Sequence, residues 1–139
     1  LKQPAIITPQ VREFEKLFGV SLQGKSQDEK MRIVEQKAKE YKTVILLKTV
    51  FDVISDGKKT CVVEGGNAGL TKGGSGDILA GLTVAFYTKN DPITSAVLAS
   101  YVLKKSAEDL YLRQGYWYNI RTIIEKIPKV FFDLSREAI

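Results

Sequence analysis

Residues 65–82 read Gly65-Gly66-Asn67-Ala68-Gly69-Leu70-Thr71-Lys72-Gly73-Gly74-Ser75-Gly76-Asp77, then Ile78-Leu79-Ala80-Gly81-Leu82. Most of the chain's 11 glycines fall here. Ordering glycine costs more backbone entropy than ordering any other residue, so such a cluster implies a reason. One reason is a backbone that must approach a ligand closely at the start of a helix. Unpaired N–H groups and the helix dipole attract an anion there, most often a phosphate. Asp77 is unexpected beside phosphates and reads as a base facing a hydroxyl, with neighbouring amides balancing charge. The simpler reading is a surface loop followed by an Asp that favours a first helical turn. The run is neither a Walker A loop, since no Gly-Lys-Ser/Thr closes it, nor a Gly-x-Gly-x-x-Gly dinucleotide fingerprint.

Working outward, 139 residues with 44% hydrophobic and 27% charged content describe one domain's worth of globular chain. No apolar run approaches the ~20 residues needed to span a bilayer. Leu1-Lys2-Gln3-Pro4 shows no signal-peptide pattern, and the chain does not begin with Met. With no histidine and a single cysteine, Cys61, serine-histidine chemistry, a disulfide framework and most zinc sites drop out. Cys61 reads as a strand thiol. The net charge of +5 is spread along the chain without a basic, aromatic-interleaved run, so no nucleic-acid partner is expected.

In chain order, Ala5-Ile6-Ile7 is a buried strand that stops at Thr8-Pro9. Apolar positions 11, 14, 17 and 18 predict a short helix closed by Gly19. Ser26 and Glu29 form a capping box opening a helix to about Tyr41. Thr43 to Leu47 is a continuous apolar strand. Val53–Ser55 and Lys59–Val63 flank the turn Asp56-Gly57-Lys58 as a hairpin. Residues 78–86 are apolar nearly all round, which predicts an interior helix. Asp91-Pro92 starts a helix to about Arg113. After the aromatic loop Tyr116–Asn119, helical spacing runs from Ile120 to Ile127, and Pro128 begins a second helical piece. Ligands of open parallel sheets sit at the carboxyl ends of strands, which singles out Thr8–Phe14, Lys48–Asp52 and the glycine run.

Gly73–Asp77 matches the anion-hole and catalytic-Asp motif of the ribokinase-like superfamily. Gly66–Leu70 before it and Ile78–Gly81 after it resemble the ADP/ATP-dependent NAD(P)H-hydrate dehydratases within that superfamily. The resemblance covers essentially the whole chain. It implies a layered α/β fold with a mainly parallel central sheet flanked by helices. Residues 1–139 would be one ribokinase-like domain, its C-terminal portion, with the N-terminal half missing and Leu1 an artificial or fragmentary start. The strand at Ala5–Ile7 would then be a central strand with an open apolar edge, an association hazard.

Site roles follow residue by residue. Thr8, Pro9, Gln10 and Glu13 stand where the family's Thr-Pro-(His/Asn)-x-x-Glu segment meets the hydrated dinucleotide. Lys48, Thr49, Val50, Phe51 and Asp52 stand in a loop against the nucleotide. By the same resemblance Asn67, Gly69, Gly73, Gly74, Ser75 and Gly76 would complete the nucleotide site, and Asp77 would touch substrate as the catalytic base. The implied reaction passes a phosphoryl group from ATP or ADP, with Mg²⁺, to the C6 hydroxyl of hydrated NADH or NADPH. Loss of phosphate then restores the cofactor. The resemblance implies a cytoplasmic enzyme, homo-oligomeric at full length, with no membrane partner and no metal ligands of its own. The choice of ATP or ADP, and any fused epimerase domain, stay open. A small-alcohol kinase of the vitamin-precursor type and a non-catalytic nucleotide-binding module are the alternatives. Two departures bear on the site. Gln10 replaces His or Asn, and Thr49 replaces a glycine. A β-branched residue held at φ > 0 costs about 1–2 kcal/mol, so a backbone shifted to φ < 0 is expected at Thr49.

Overall fold

Short links and continuous apolar runs set the sheet. The computed structural model describes residues 3–137; Leu1 and Lys2, where the expectation of an artificial start falls, lie outside them. Strands β1 (Ile6–Ile7), β2 (Val44–Leu47), β3 (Asp52–Ser55) and β4 (Thr60–Val63) form one sheet in that order. β1 pairs with β2 in parallel, Ile6 opposite Val44 and Ile7 opposite Ile45. The β2–β3 and β3–β4 ladders are antiparallel. The sheet is therefore mixed, which corrects the expectation of a mainly parallel one. Only residues 48–51 separate β2 from β3, and a parallel neighbour needs a crossover of roughly a dozen residues or more. Only β3 runs the other way. β1, β2 and β4 share one direction and end at one edge, and that edge carries the site.

β2 and β3 are buried at every position, as strands covered on both faces must be. On one face lie α1 (Val11–Phe18) and α2 (Gln27–Tyr41), whose Phe14, Val34 and Ala38 cluster with Ile45, Leu47 and Val53. The other face holds α4 (Pro92–Gln114), where Ala96, Ala99, Leu103 and Ala107 cluster with Val44, Leu46, Ile54 and Val63. Helices α3 (Ser75–Tyr87) and α5 (Ile120–Glu137) pack beside α4. Alternate residues of β2 thus serve two cores, the consequence of a two-residue side-chain period.

The local signals are found where they were expected. Gly19 closes α1 in the left-handed region, with φ 63°. The Ser26 amide donates to Glu29 Oε2 at 2.7 Å while the Glu29 amide donates to Ser26 Oγ at 3.2 Å. Asp91 accepts from the Thr94 amide at 3.1 Å, with Pro92 in the first turn of α4. In the β3–β4 turn Gly57 has φ 83°, and a Cβ there would lie 2.6 Å from the Lys39 backbone, so no other residue fits.

Two helices differ from expectation. α3 is not interior: only Ser75, Leu79 and Thr83 are buried, and Val84 is 68% exposed with Ala80, Gly81 and Ala85 exposed around it. Apolar composition marks a face that can be covered, and the described residues cover only one side. α5 is one helix through Pro128, not two pieces. The proline ring removes the bond to the Ile124 carbonyl, yet Pro128 and Ile124 both lie on the exposed side, where the interruption is tolerated. Among the described residues no helix is long and apolar enough to cross a membrane.

The continuity of α5 makes a prediction. Pro128→Ala restores a helical bond inside an unbroken helix and should stabilise the chain by about 1–2 kcal/mol, after the unfolded state's gain in freedom is deducted. Thermal melts measure it, and an unchanged or lowered midpoint would mean that the helix breaks at Pro128.

Candidate active site

The three loops converge. Parts of the Thr8–Phe14 segment, the β2–β3 link and the glycine run line a single cavity of about 920 Å³ at the edge where β1, β2 and β4 end. Its walls include Gln10 and Arg12, residues Lys48, Thr49, Val50 and Asp52, and much of Gly65 to Gly76. Of the expected substrate residues only Gln10 is in the wall; Thr8, Pro9, Glu13 and Asp77 stand outside it. Of the expected nucleotide residues, Phe51 and Gly69 are absent from the wall and the others present.

Backbone pairing holds the first loop. The Lys48 amide donates to the Pro9 carbonyl at 2.9 Å, and Gln10 bridges to Lys48 as a last parallel step beyond β1 and β2. Glu13 accepts from the Gln10 amide at 2.9 Å, so its carboxylate serves the start of α1 in this structure. The Lys48 ammonium reaches across the cavity floor to Ser75 Oγ and, at 3.4 Å, to the Leu70 carbonyl. Ser75 Oγ donates to that same carbonyl at 2.6 Å, and Ser75 is buried. Its hydroxyl therefore ties the first residue of α3 to the loop before it. Burial pulls the Lys48 ammonium below the ordinary lysine range; Lys104 adds to this, whereas Asp52 and Glu13 oppose it.

Asn67 is a scaffold residue. Its side-chain oxygen accepts from the Gly69 amide at 3.0 Å and from the Tyr118 hydroxyl, while its amide donates to the Ala107 carbonyl at 2.9 Å. Gly69 packs so closely under Tyr118 that a methyl group would overlap the phenol oxygen. Beyond this turn the Ser75 amide donates to the Lys72 carbonyl at 3.3 Å, whereas Gly76 and Asp77 are first-turn residues of α3 whose amides have no partner within the helix. Asp77 is exposed, and among the described residues its carboxylate enters no hydrogen bond or ion pair.

The sequence reading missed a set of residues on α4. Lys104 is 5% exposed and lies in the cavity wall. Its ammonium donates to the Val50 carbonyl at 2.8 Å and the Gly65 carbonyl at 3.3 Å, and stands 3.7 Å from Asp52 Oδ1. Ser100 donates to Asp52 Oδ2 at 2.7 Å. Burial pushes the Asp52 carboxyl upward, opposed by Lys104, Ser100 and the Thr49 amide, which favour its charged form. The signal was present as polar residues 100, 104 and 108 at helical spacing inside an apolar helix, a pattern that also describes a solvated face.

Layered helices around an open sheet, with a glycine-lined cavity at the ends of its strands, define a ribokinase-like α/β protein. The family model for NAD(P)H-hydrate dehydratase matches residues 1–129, and the chain belongs to that family. It is 37% identical over 135 residues to a bifunctional NAD(P)H-hydrate repair enzyme of Pyrobaculum aerophilum, covering 96% of this chain and 27% of the relative. Identity to an ADP-dependent (S)-NAD(P)H-hydrate dehydratase of Nitrosopumilus maritimus is 39% over 98 residues, 70% of this chain and 34% of that protein. The ADP/ATP-dependent NAD(P)H-hydrate dehydratase of Bacillus subtilis, crystallised with ATP/Mg²⁺, superposes with a TM-score of 0.84 at 26% identity, over 94% of this chain and 48% of that one. The chain thus spans between a quarter and a half of the length of these relatives.

Thr49 resolves as expected. Among the described residues Lys42 is the only non-glycine at positive φ, so Thr49 carries no left-handed strain. Its amide donates to Asp52 Oδ1 at 2.8 Å and its hydroxyl to the Phe51 carbonyl. Thr49→Gly should therefore gain no stability and lose from a few tenths to ~1 kcal/mol, through unfolded-state entropy. Paired thermal melts test this, and stabilisation by glycine would contradict the unstrained backbone.

Proposed function

We propose that this chain carries the phosphoryl-transfer centre of an ADP/ATP-dependent NAD(P)H-hydrate dehydratase, an enzyme that repairs hydrated nicotinamide cofactors. One observation carries the reading. The glycine run, the β2–β3 link and the Gln10 loop close on one cavity whose wall holds Arg12, Lys48, Lys72 and Lys104 against a single carboxylate, Asp52. That carboxylate is already paired with Lys104. The cavity's excess charge is positive and suits the phosphates of a nucleotide.

In this reading the donor's phosphates lie along the glycine run toward the first turn of α3, where amides and dipole offset their charge. The C6 hydroxyl oxygen of the hydrated nicotinamide bonds to the terminal phosphorus as the bond to the leaving nucleotide breaks. Asp77, in the first turn and uncommitted, takes the hydroxyl proton. The C6–O bond then breaks, phosphate departs with the electron pair, and loss of a proton from the adjacent carbon restores the ring double bond. Magnesium would enter as part of the donor. Among the described residues no cluster of three or more His, Cys, Asp or Glu could cage it, and Asp52 is committed elsewhere. Assembly into a homo-oligomer in the full-length form belongs to the same reading.

Asp77→Asn should lower turnover of hydrated NADH with ADP or ATP and Mg²⁺ by about 10²–10⁴ while nucleotide affinity stays nearly unchanged. Turnover within a few-fold of the parent would remove Asp77 as the base.

Lys48 makes the reading pH-sensitive. Burial disfavours its ammonium in the unliganded cavity, and phosphate oxygens would favour it. Between the lowered free value and the higher bound value, nucleotide binding should draw in a proton, so affinity should fall as pH rises through that interval. Calorimetry at alkaline pH in two buffers of different ionisation enthalpy measures the uptake. It should disappear in Lys48→Met, and uptake that persists there would assign it to another group.

A further inference from the structure

Residues Ser100, Lys104 and Glu108 recur every fourth position on α4 and form one stripe along the helix. Each grips a different part of the cavity rim. Ser100 holds Asp52 at 2.7 Å, and Asp52 in turn holds the Thr49 amide at 2.8 Å. Lys104 holds the carbonyls of Val50 and Gly65, and Glu108 Oε1 accepts from the Gly66 amide at 2.8 Å. Between them the Ala107 carbonyl accepts from the Asn67 side chain. The nucleotide loop and the start of the glycine run are joined along the chain only through the β3–β4 hairpin. Lys104 spans them directly with two hydrogen bonds, and Asp52 Oδ1 stands 3.7 Å from the same ammonium.

The charge on Lys104 could have been spared. A buried ion pair is seldom more stabilising than apolar residues of the same shape, because both charges lose their hydration. What an apolar replacement could not do is hold two backbone carbonyls from separate loops in one position. From this geometry we infer that Lys104 is the positioning residue of the nucleotide cavity, fixing the spacing between the Thr49–Phe51 rim and the Gly65–Asn67 rim from α4. The inference rests on the nucleotide reading of that cavity. Lys104 acts through the two loops and needs no contact with the reacting atoms.

The test uses Lys104→Met and, because that change strands the buried Asp52 charge and destabilises the fold, the charge-balanced double variant Asp52→Asn/Lys104→Met. Three measurements are made on each: the thermal midpoint, the Kd for ATP·Mg²⁺, and amide hydrogen exchange. The double variant should melt near the parent, since a buried pair removed together is often neutral. It should still bind ATP·Mg²⁺ about ten- to a hundredfold more weakly, the loss set by missing charge-assisted hydrogen bonds. Exchange should accelerate at Val50, Phe51, Gly66 and Asn67 and stay unchanged along the β3–β4 ladder. A folded double variant that binds ATP·Mg²⁺ within about threefold of the parent, given the central tendencies of hydrogen-bond energies, would overturn the inference. So would exchange that accelerates evenly through the sheet. Should the parent bind no ATP·Mg²⁺ at all, the nucleotide reading fails, and the exchange pattern alone then decides whether Lys104 sets the rim.

Discussion

A carboxylate buried to 3% exposure at the first residue of β3 has to be matched where it stands. Asp52 is matched three times, by the Lys104 ammonium, the Ser100 hydroxyl and the Thr49 amide. Leaving such a charge unpaired costs several kcal/mol, so its partners cannot drift independently. This couples elements that the chain visits far apart: the β2–β3 link, the reversed strand it feeds, and the helix that covers the sheet. Position the helix wrongly and the rim of the cavity fails with the charge balance.

α4 can take that role because of what else it carries. Ala96, Ala99 and Ala107 let its backbone approach the sheet closely, and Leu103 fills the remaining depth beside Leu46 and Ile54. Close approach brings short polar groups such as the Ser100 hydroxyl within reach of a strand residue, which bulkier neighbours would forbid. The small residues and the polar stripe are thus one design. The glycine run follows the same logic at shorter range, since Gly69 leaves room for the Tyr118–Asn67 contact that shapes the turn before Lys72.

Features that depend on a few consecutive residues were legible in the sequence. The bounds of α1, the Ser26–Glu29 box, the Asp56–Lys58 turn and the Asp91-Pro92 start all follow from local backbone chemistry. The direction of β3 was legible too, because a hairpin and a link of residues 48–51 together rule out a mainly parallel sheet. The expectation from the wider fold outweighed that local arithmetic. The surface position of α3 was not legible, since composition reports which faces are apolar and not which are covered. Nor was α5's passage through Pro128, which depends on the proline falling on the outer side. The convergence of three loops came from the strand-end rule and the family motif. The parts played by Asn67, Ser75 and Lys104 did not, because their partners lie as many as 54 residues away along the chain.

The cavity's charges divide holding from chemistry. Lys104 is neutralised in place by Asp52, so it sets geometry and adds little net field. Lys48 is different: desolvated, with another cation nearby, it keeps its proton less readily than a surface lysine. Its present partners, the Ser75 hydroxyl and the Leu70 carbonyl, carry no compensating charge. Asp52 and Glu13 offset part of the cost of burial, and an anion entering the cavity would add to that compensation. Asp77 lies outside this wall on the exposed side of the first turn of α3, where an acid is favoured by the helix dipole and kept apart from the buried cations. The one carboxylate inside the wall, Asp52, is paired with Lys104 and bonded to Ser100, which leaves Asp77 as the carboxylate next to Gly73–Gly76 without a partner among the described residues. Directly after Gly76, it stays unpaired among the described residues, in the turn whose amides have no partner within the helix.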